Sequence, residues 1–302
     1  MTDSAGFAPH SIVAQRWHDL TAAAFTDTQS FVQIFAHNSE VPFTFAHAAA
    51  AAPFRRTHLV VPAVIVGTMA PDFEYFMLLA PKSGYGHGWP GLLILTLPLA
   101  LLVYWLYQAF VRAPLIWLLP EGFRQRVPYR SVEPNPFRLA RFAIVLASLT
   151  AGIATHILWD SFTHPTTWVY RHWGLLSRTL TVPVLGTIQY YKAFQHSSTI
   201  LGLAVLAVWI AYWYRTTPPT GLVAMTRSAQ PRSAQRERLL VLAVIPGLAL
   251  CGALIRAFLG VGKLTSVAVV EHFVAEWIIT LIALLWWQLV IYGILRRRRF
   301  TA

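Results

Sequence analysis

Gly152 to His164 reads G-I-A-T-H-I-L-W-D-S-F-T-H and closes an apolar run that begins near Phe142. About 20 apolar residues cross a bilayer as a helix, so 142–162 predicts a membrane span. Yet its last turns carry His156, Asp160 and His164, at i, i+4 and i+8, which a helix sets along one face. Ionisable groups at membrane depth are costly and face a protein interior or watery cavity, where they do a job. A histidine and a carboxylate one turn apart can share one metal ion, by the geometry that pairs two histidines in zinc peptidases. Further partners for that face must come from elsewhere in the chain.

The composition agrees with a membrane protein. Of 302 residues, 56% are hydrophobic and only 12% charged, with a mean hydropathy of +0.52. Soluble domains carry about 25% charged residues. The net charge of +12 raises the question of a nucleic-acid partner. The basic residues, however, lie mostly between apolar runs, where topology signals belong, and this argues against one. Cys251 is the single cysteine and can form no intrachain disulfide.

Apolar runs at 89–111, 142–162, 196–214, 239–259 and 270–295 predict five spans. The arginine-rich 112–141 loop, the 215–238 linker and the tail Arg296 to Arg299 all belong on the cytoplasmic side, and alternate crossings satisfy all three. The C-terminus is then cytoplasmic, in what is expected to be a bacterial inner membrane. Residues 165–195 read as a loop whose aromatics, among them Trp168, Tyr170 and Trp173, suit the membrane interface. The fold class is all-α: one polytopic helical bundle over 41–302, preceded by a mobile extension over 1–40.

Histidine was not used to set this topology, yet His87, His156, His164, His172, His196 and His272 all fall at its extracytoplasmic end. His272 and Glu276 repeat the i, i+4 pairing on the last span. Asp72 and His87 are placed to join the group, and Thr155 and Ser197 to hydrogen-bond its members. Neutral imidazole and carboxylate are the usual donors for zinc, and also suit manganese or iron. The segment 47–80 has two readings. With Arg55 and Arg56 inside, 59–80 is a sixth span and His47 is cytoplasmic. Alternatively 47–54 descends and 59–71 ascends as a re-entrant hairpin, which brings His47 and Asp72 together. Irregular backbone at such depth requires burial in protein.

Four motifs in order, V-P-F-T-F-A-H from Val41, G-T-M-A-P-D-F-E-Y-F from Gly67, the opening stretch, and Q-H-S-S from Gln195, resemble a bacterial membrane family, domain of unknown function 4184. More remotely, an early His, a Pro-Asp, a further His, His-x-x-x-Asp and a later His-x-x-x-Glu is similar to the ligand order of zinc-dependent phospholipase C. Membrane-bound metal-dependent hydrolases share the early His and Pro-Asp. Carried over by position, the resemblance implies His47, Asp72, His87, His156, Asp160, His164 and His272 with Glu276 as metal ligands, with His196 as an alternative to His272. Members of the family commonly begin with Met where this chain has Val41, so residues 1–40 are expected to be a start-site artefact.

The expected function is hydrolysis of a phosphoester, a lipid among the candidates, by a divalent metal, zinc foremost, at the extracytoplasmic membrane face. Glu276 or Glu74 would take the water proton, and Arg171 would face the phosphate. The rival is a non-catalytic membrane protein, a metal carrier or a scaffold whose His/Asp cluster fixes helix packing. Haem binding by histidine pairs is a third reading, and Asp72 and Asp160 count against it.

Overall fold

Five helices of this computed structural model are long and apolar enough to cross a membrane. The structure describes residues 44–80, 86–127, 139–182, 186–219, 232–261 and 267–297; the expected extension over 1–40 lies outside them. The elements are α1 (Thr44–Arg56, a 3₁₀ helix), α2 (Val61–Met69), α3 (Phe73–Leu78), α4 (Leu92–Leu118), α5 (Leu139–Thr163), α6 (Tyr190–Thr216), α7 (Arg232–Val261) and α8 (Val267–Leu295). The long helices α4 to α8 are the five spans, and the chain is a multi-pass membrane protein.

These helices alternate in direction. Arg126 at the far end of α4 donates to the Tyr214 carbonyl near the end of α6. There too Arg238, early in α7, reaches the carbonyls of Leu118 and Leu119, and Tyr292, late in α8, donates to Glu237. Arginine therefore collects at one end of the bundle, and the histidines of α5 lie at the other.

Residues 44–80 adopt the hairpin reading rather than a sixth crossing. In α1 the alanines Ala48 to Ala52 make the eclipsed i, i+3 stacking of a 3₁₀ helix sterically cheap. Ala46 packs on Gly202 of α6, and nine residues later the Arg55 guanidinium lies 5.7 Å from the Tyr212 ring centre. After a bend at 57–59, α2 starts with Pro62 in its first turn, where no amide hydrogen is missed. It returns alongside α5, with the Val60 N–H on Ser148 Oγ at 2.9 Å. Pro71 then forces a 3₁₀ turn at Ala70–Asp72.

Lipid is as apolar as leucine, so membrane helices associate through close packing and polar contacts. Here Gly67 of α2 meets the Leu149 carbonyl and Gly152 of α5 meets the Val64 carbonyl, so closely that neither position has room for a Cβ. Ala63, Ala70, Ala100, Val145, Leu149 and Ile153 fill the core around this crossing.

Residues 165–195 are more ordered than the loop expected there. A short helix, Trp168–His172, is capped by the Thr167 side chain, and β1 (Thr179–Val182) pairs antiparallel with β2 (Gly186–Gln189). Helix α6 begins at Tyr190, six residues before His196. Arg171 is exposed, and its Nε donates to the Thr167 carbonyl.

The glycine crossing gives a direct test. Gly152→Leu is expected to destabilise the detergent-solubilised protein by about 1–3 kcal/mol, as overpacking does. Gly247→Ala, whose methyl group meets nothing within 4 Å, is expected to leave the thermal midpoint unchanged or slightly raised. Thermal unfolding of both variants checks this.

Candidate metal centre

Three chain segments and one loop deliver the site. Helix α5 turns His156, Asp160 and Thr163 inward, and all three are buried. Helix α2 and the 3₁₀ turn after it bring Asp72, fully buried. The first turn of α1 brings His47, 3% exposed. The loop before α4 brings His87, and it is fastened on both sides. The Gly86 N–H donates to Glu74 Oε2 at 3.0 Å, and Thr96 Oγ1 donates to the Gly86 carbonyl at 2.9 Å. A Cβ at Gly86 would press on the Pro71 carbonyl, so only glycine lets this loop approach Asp72.

Three imidazole Nε2 atoms and two carboxylates converge. His156 Nε2 is 3.0 Å from Asp160 Oδ2 and 3.7 Å from Asp72 Oδ1. His87 Nε2 is 3.3 Å from Asp72 Oδ1 and 3.6 Å from Asp160 Oδ2. His47 Nε2 is 3.4 Å from Asp160 Oδ1, and its ring stacks on His156 at 4.2 Å between centres. Two triads result, His47/Asp72/His156 and His87/His156/Asp160, the donor atoms of each lying within 4.8 Å of one another. Either triad could hold a metal ion, and His156 belongs to both.

The supporting contacts fix these donors. His156 Nδ1 lies 2.8 Å from the Thr68 carbonyl, which can only accept, so Nδ1 carries a proton and Nε2 is the nitrogen turned to the centre. Thr44 Oγ1 donates to Asp72 Oδ2 at 2.7 Å, leaving Oδ1 turned toward the histidines. Asp72 Oδ1 and Asp160 Oδ1 are buried without a hydrogen-bond donor among the described residues. Buried carboxylate oxygens are ordinarily satisfied. A cation among them fits this set of carboxylate oxygens and imidazole nitrogens.

The two outlying histidines differ in charge. Burial, and then the neighbouring His156, lower the His47 pKa to about 4, so this imidazole is neutral and ready to ligate. Burial also disfavours a charged His87. Its close approach to the carboxylates of Asp160 and Asp72, and their negative charges, outweigh that and raise its pKa to about 9.

Other expected residues lie around this centre or apart from it. His164 sits at the partly exposed edge, its Nδ1 3.7 Å from Asp160 Oδ1 and 3.1 Å from Thr163 Oγ1. Glu74 reaches the loop amide of Gly86. Neither triad includes His164, His196 or His272. Glu276 is engaged on its own helix pair, with Arg256 of α7 at 3.3 Å and His272 at 3.5 Å. A guanidinium on that carboxylate opposes both metal ligation and proton abstraction. Thr155 donates back to the Gly152 carbonyl and Ser197 to that of Ala193, as helix-packing hydroxyls do.

Thr44 and the Thr68 carbonyl were not anticipated. A 3₁₀ helix eclipses residues three apart, so Thr44 beside His47 was the available signal for the first. A backbone carbonyl leaves none.

No curated protein matches the chain. No solved structure matches it either. The family described as a domain of unknown function (DUF4184) matches residues 41–294, a stretch holding every residue of both triads. The chain is a member of this DUF4184 family.

Proposed function

We propose that this protein is an integral-membrane, metal-dependent hydrolase of phosphoesters, with lipid phosphoesters as the leading substrate class. One observation carries the reading: two His/Asp triads, one buried and one partly open, that share His156 at one end of a membrane bundle. Zinc best fits a donor set of imidazole nitrogen and carboxylate oxygen. A divalent cation held there would polarise a phosphoryl oxygen and lower the pKa of a coordinated water.

The protein's own groups supply the rest. Asp72, fixed by Thr44, and His156, fixed by Thr68, form the rigid inner wall. His87 and His164 are the partly exposed members and form the mouth. His164 stands between solvent and Asp160, so we assign it the transfer of a proton to or from the reacting group. Glu74 and Glu276, each engaged elsewhere, fit that role less well.

A carrier would need polar groups along a whole crossing. From Phe142 to Ala151, α5 offers only the hydroxyls of Ser148 and Thr150, and Ser148 is bonded to the Ile144 carbonyl. This favours a site open to one face. The arginine distribution supports a reading in which that face lies outside the bacterial inner membrane and the C-terminus in the cytoplasm.

Purified protein is expected to hold divalent metal that His156→Ala and Asp160→Asn each reduce at least tenfold in affinity, while His272→Ala retains it. Metal analysis with circular dichroism as the folding control decides this, and folded variants with full metal content would defeat the reading. Hydrolysis of bis(p-nitrophenyl) phosphate by the metal-loaded protein, lost in Asp160→Asn, tests the chemistry.

Ligation requires His87 to lose its proton. With its pKa near 9, that proton is present at pH 7 in metal-free protein. Metal binding is therefore expected to release at least one proton at pH 7, and affinity to rise as pH rises toward 9. Calorimetry in buffers of different ionisation enthalpy measures the release, and His87→Gln is expected to lower it by about one proton. In metal-free protein the sign is opposite. The raised pKa stabilises the fold below the ordinary histidine value of 6.5, and that contribution is lost as pH rises through about 9.

A further inference from the structure

The arginine-rich end carries a site of its own, independent of the metal centre at the other. After α4 the chain turns at Leu119–Pro120 into a single helical turn, Glu121–Arg124. Arg124 is half-buried, and its Nε and Nη1 are buried with no acceptor among the described residues. Arg238 donates through Nη2 to the carbonyls of Leu118 and Leu119, at the start of the same turn. Its Nε is likewise buried without an acceptor. A guanidinium is always charged, and burying its N–H groups unpaired is expensive.

The surroundings hold Arg124 in place but do not neutralise it. Phe123 packs between Trp213, 6.3 Å away, and Tyr214, 4.9 Å away. Arg126 lies 4.1 Å from the Tyr214 ring centre and donates to the carbonyls of Tyr214 and Gly122. A Cβ at Gly122 would meet the Tyr214 hydroxyl at 2.6 Å, so the turn is seated tightly on α6. The described carboxylates at this end are engaged: Glu121 accepts from Gln125, and Glu237 from Arg296 and Tyr292. Arg112, Arg141, Arg215, Arg236 and Arg297 add further positive charge.

Aromatic residues of this kind mark the headgroup level of a bilayer, and basic pockets between spans at that level suit anionic headgroups. We propose that the turn Glu121–Arg124, with Arg238, binds the headgroup phosphate of an anionic phospholipid. The phosphate oxygens accept the orphaned N–H groups of Arg124, an arrangement arginine favours, and the acyl chains lie along the exposed apolar faces of α6 and α7.

Full-length protein in nanodiscs tests this, with phosphatidylcholine alone or doped with phosphatidylglycerol. Native mass spectrometry reads retained lipid, and thermal unfolding reads stabilisation. The wild type is expected to retain phosphatidylglycerol selectively and to gain a higher thermal midpoint from it. Arg124→Gln is expected to lower that retention about tenfold, the loss of one charged hydrogen-bonded contact. Arg215→Gln, an exposed arginine at the same end with the same change in charge, is expected to leave it unchanged. Arg124→Lys keeps the charge and lacks the planar donor set, so a partial loss is expected even if the glutamine variant does not fold. Three outcomes each overturn the proposal. They are no selectivity in the wild type, equal losses in Arg124→Gln and Arg215→Gln, or full thermal protection by inorganic phosphate in phosphatidylcholine alone, which would make this a free-anion site.

Discussion

The centre depends on one contact, the 2.8 Å approach of His156 Nδ1 to the Thr68 carbonyl. It keeps a proton on Nδ1 and so turns Nε2 toward Asp160 and Asp72. It exists only because α2 and α5 cross at glycine, where Gly67 and Gly152 each lie against a backbone carbonyl of the other helix. With alanine at either position the helices would separate, and Thr68 could not reach the ring. Helix packing and metal-ligand chemistry are thus one constraint, in a solvent that provides no hydrophobic drive between helices.

The electrostatics of the cluster bear on the choice between a binding centre and packing glue. Buried ion pairs offset the loss of hydration only when the remaining lone pairs are satisfied as well. A scaffold would be expected to close its network, as Thr44 does for Asp72 Oδ2. Instead Asp72 Oδ1, Asp160 Oδ1 and His47 Nδ1 have no well-aligned hydrogen bond among the described residues. The Arg256/Glu276 pair on α7 and α8 is the contrasting case, a carboxylate already served by a fixed cation.

Much of this was legible in the sequence, and what was not has physical reasons. The five spans follow from length and hydropathy, and the His156/Asp160/His164 face follows from helical period alone. The segment 47–80 stayed open because Arg55 and Arg56 on the inside favour a sixth span, whereas a hairpin brings His47 to Asp72. The structure resolves it: Arg55 extends over Tyr212 as a long side chain can, and the chain then turns back. His272 and Glu276 were expected at the level of the cluster, but level along a membrane says nothing about azimuth. The overlooked signal was Arg256, the arginine inside the apolar run of α7, which claims Glu276. The β-hairpin of 179–189 escaped notice because four-residue strands offer too little alternation to read.

The hairpin also explains why the site opens to one face. From His47 to Arg56 a 3₁₀ helix rises roughly 18 Å, at about 2.0 Å per residue. From Leu59 to Asp72 a mostly α-helical return rises roughly 20 Å, at about 1.5 Å per residue. The limbs match, so His47 and Asp72 end at one level, and both fall short of the roughly 30 Å hydrocarbon core. A crossing helix would carry His47 to the opposite end and leave one triad without a ligand. Two limbs that start and finish at the same level instead deliver two ligands from one short segment. Their tip is sealed by Ser148 and the α6 aromatics, and the opening lies where His87 and His164 meet solvent.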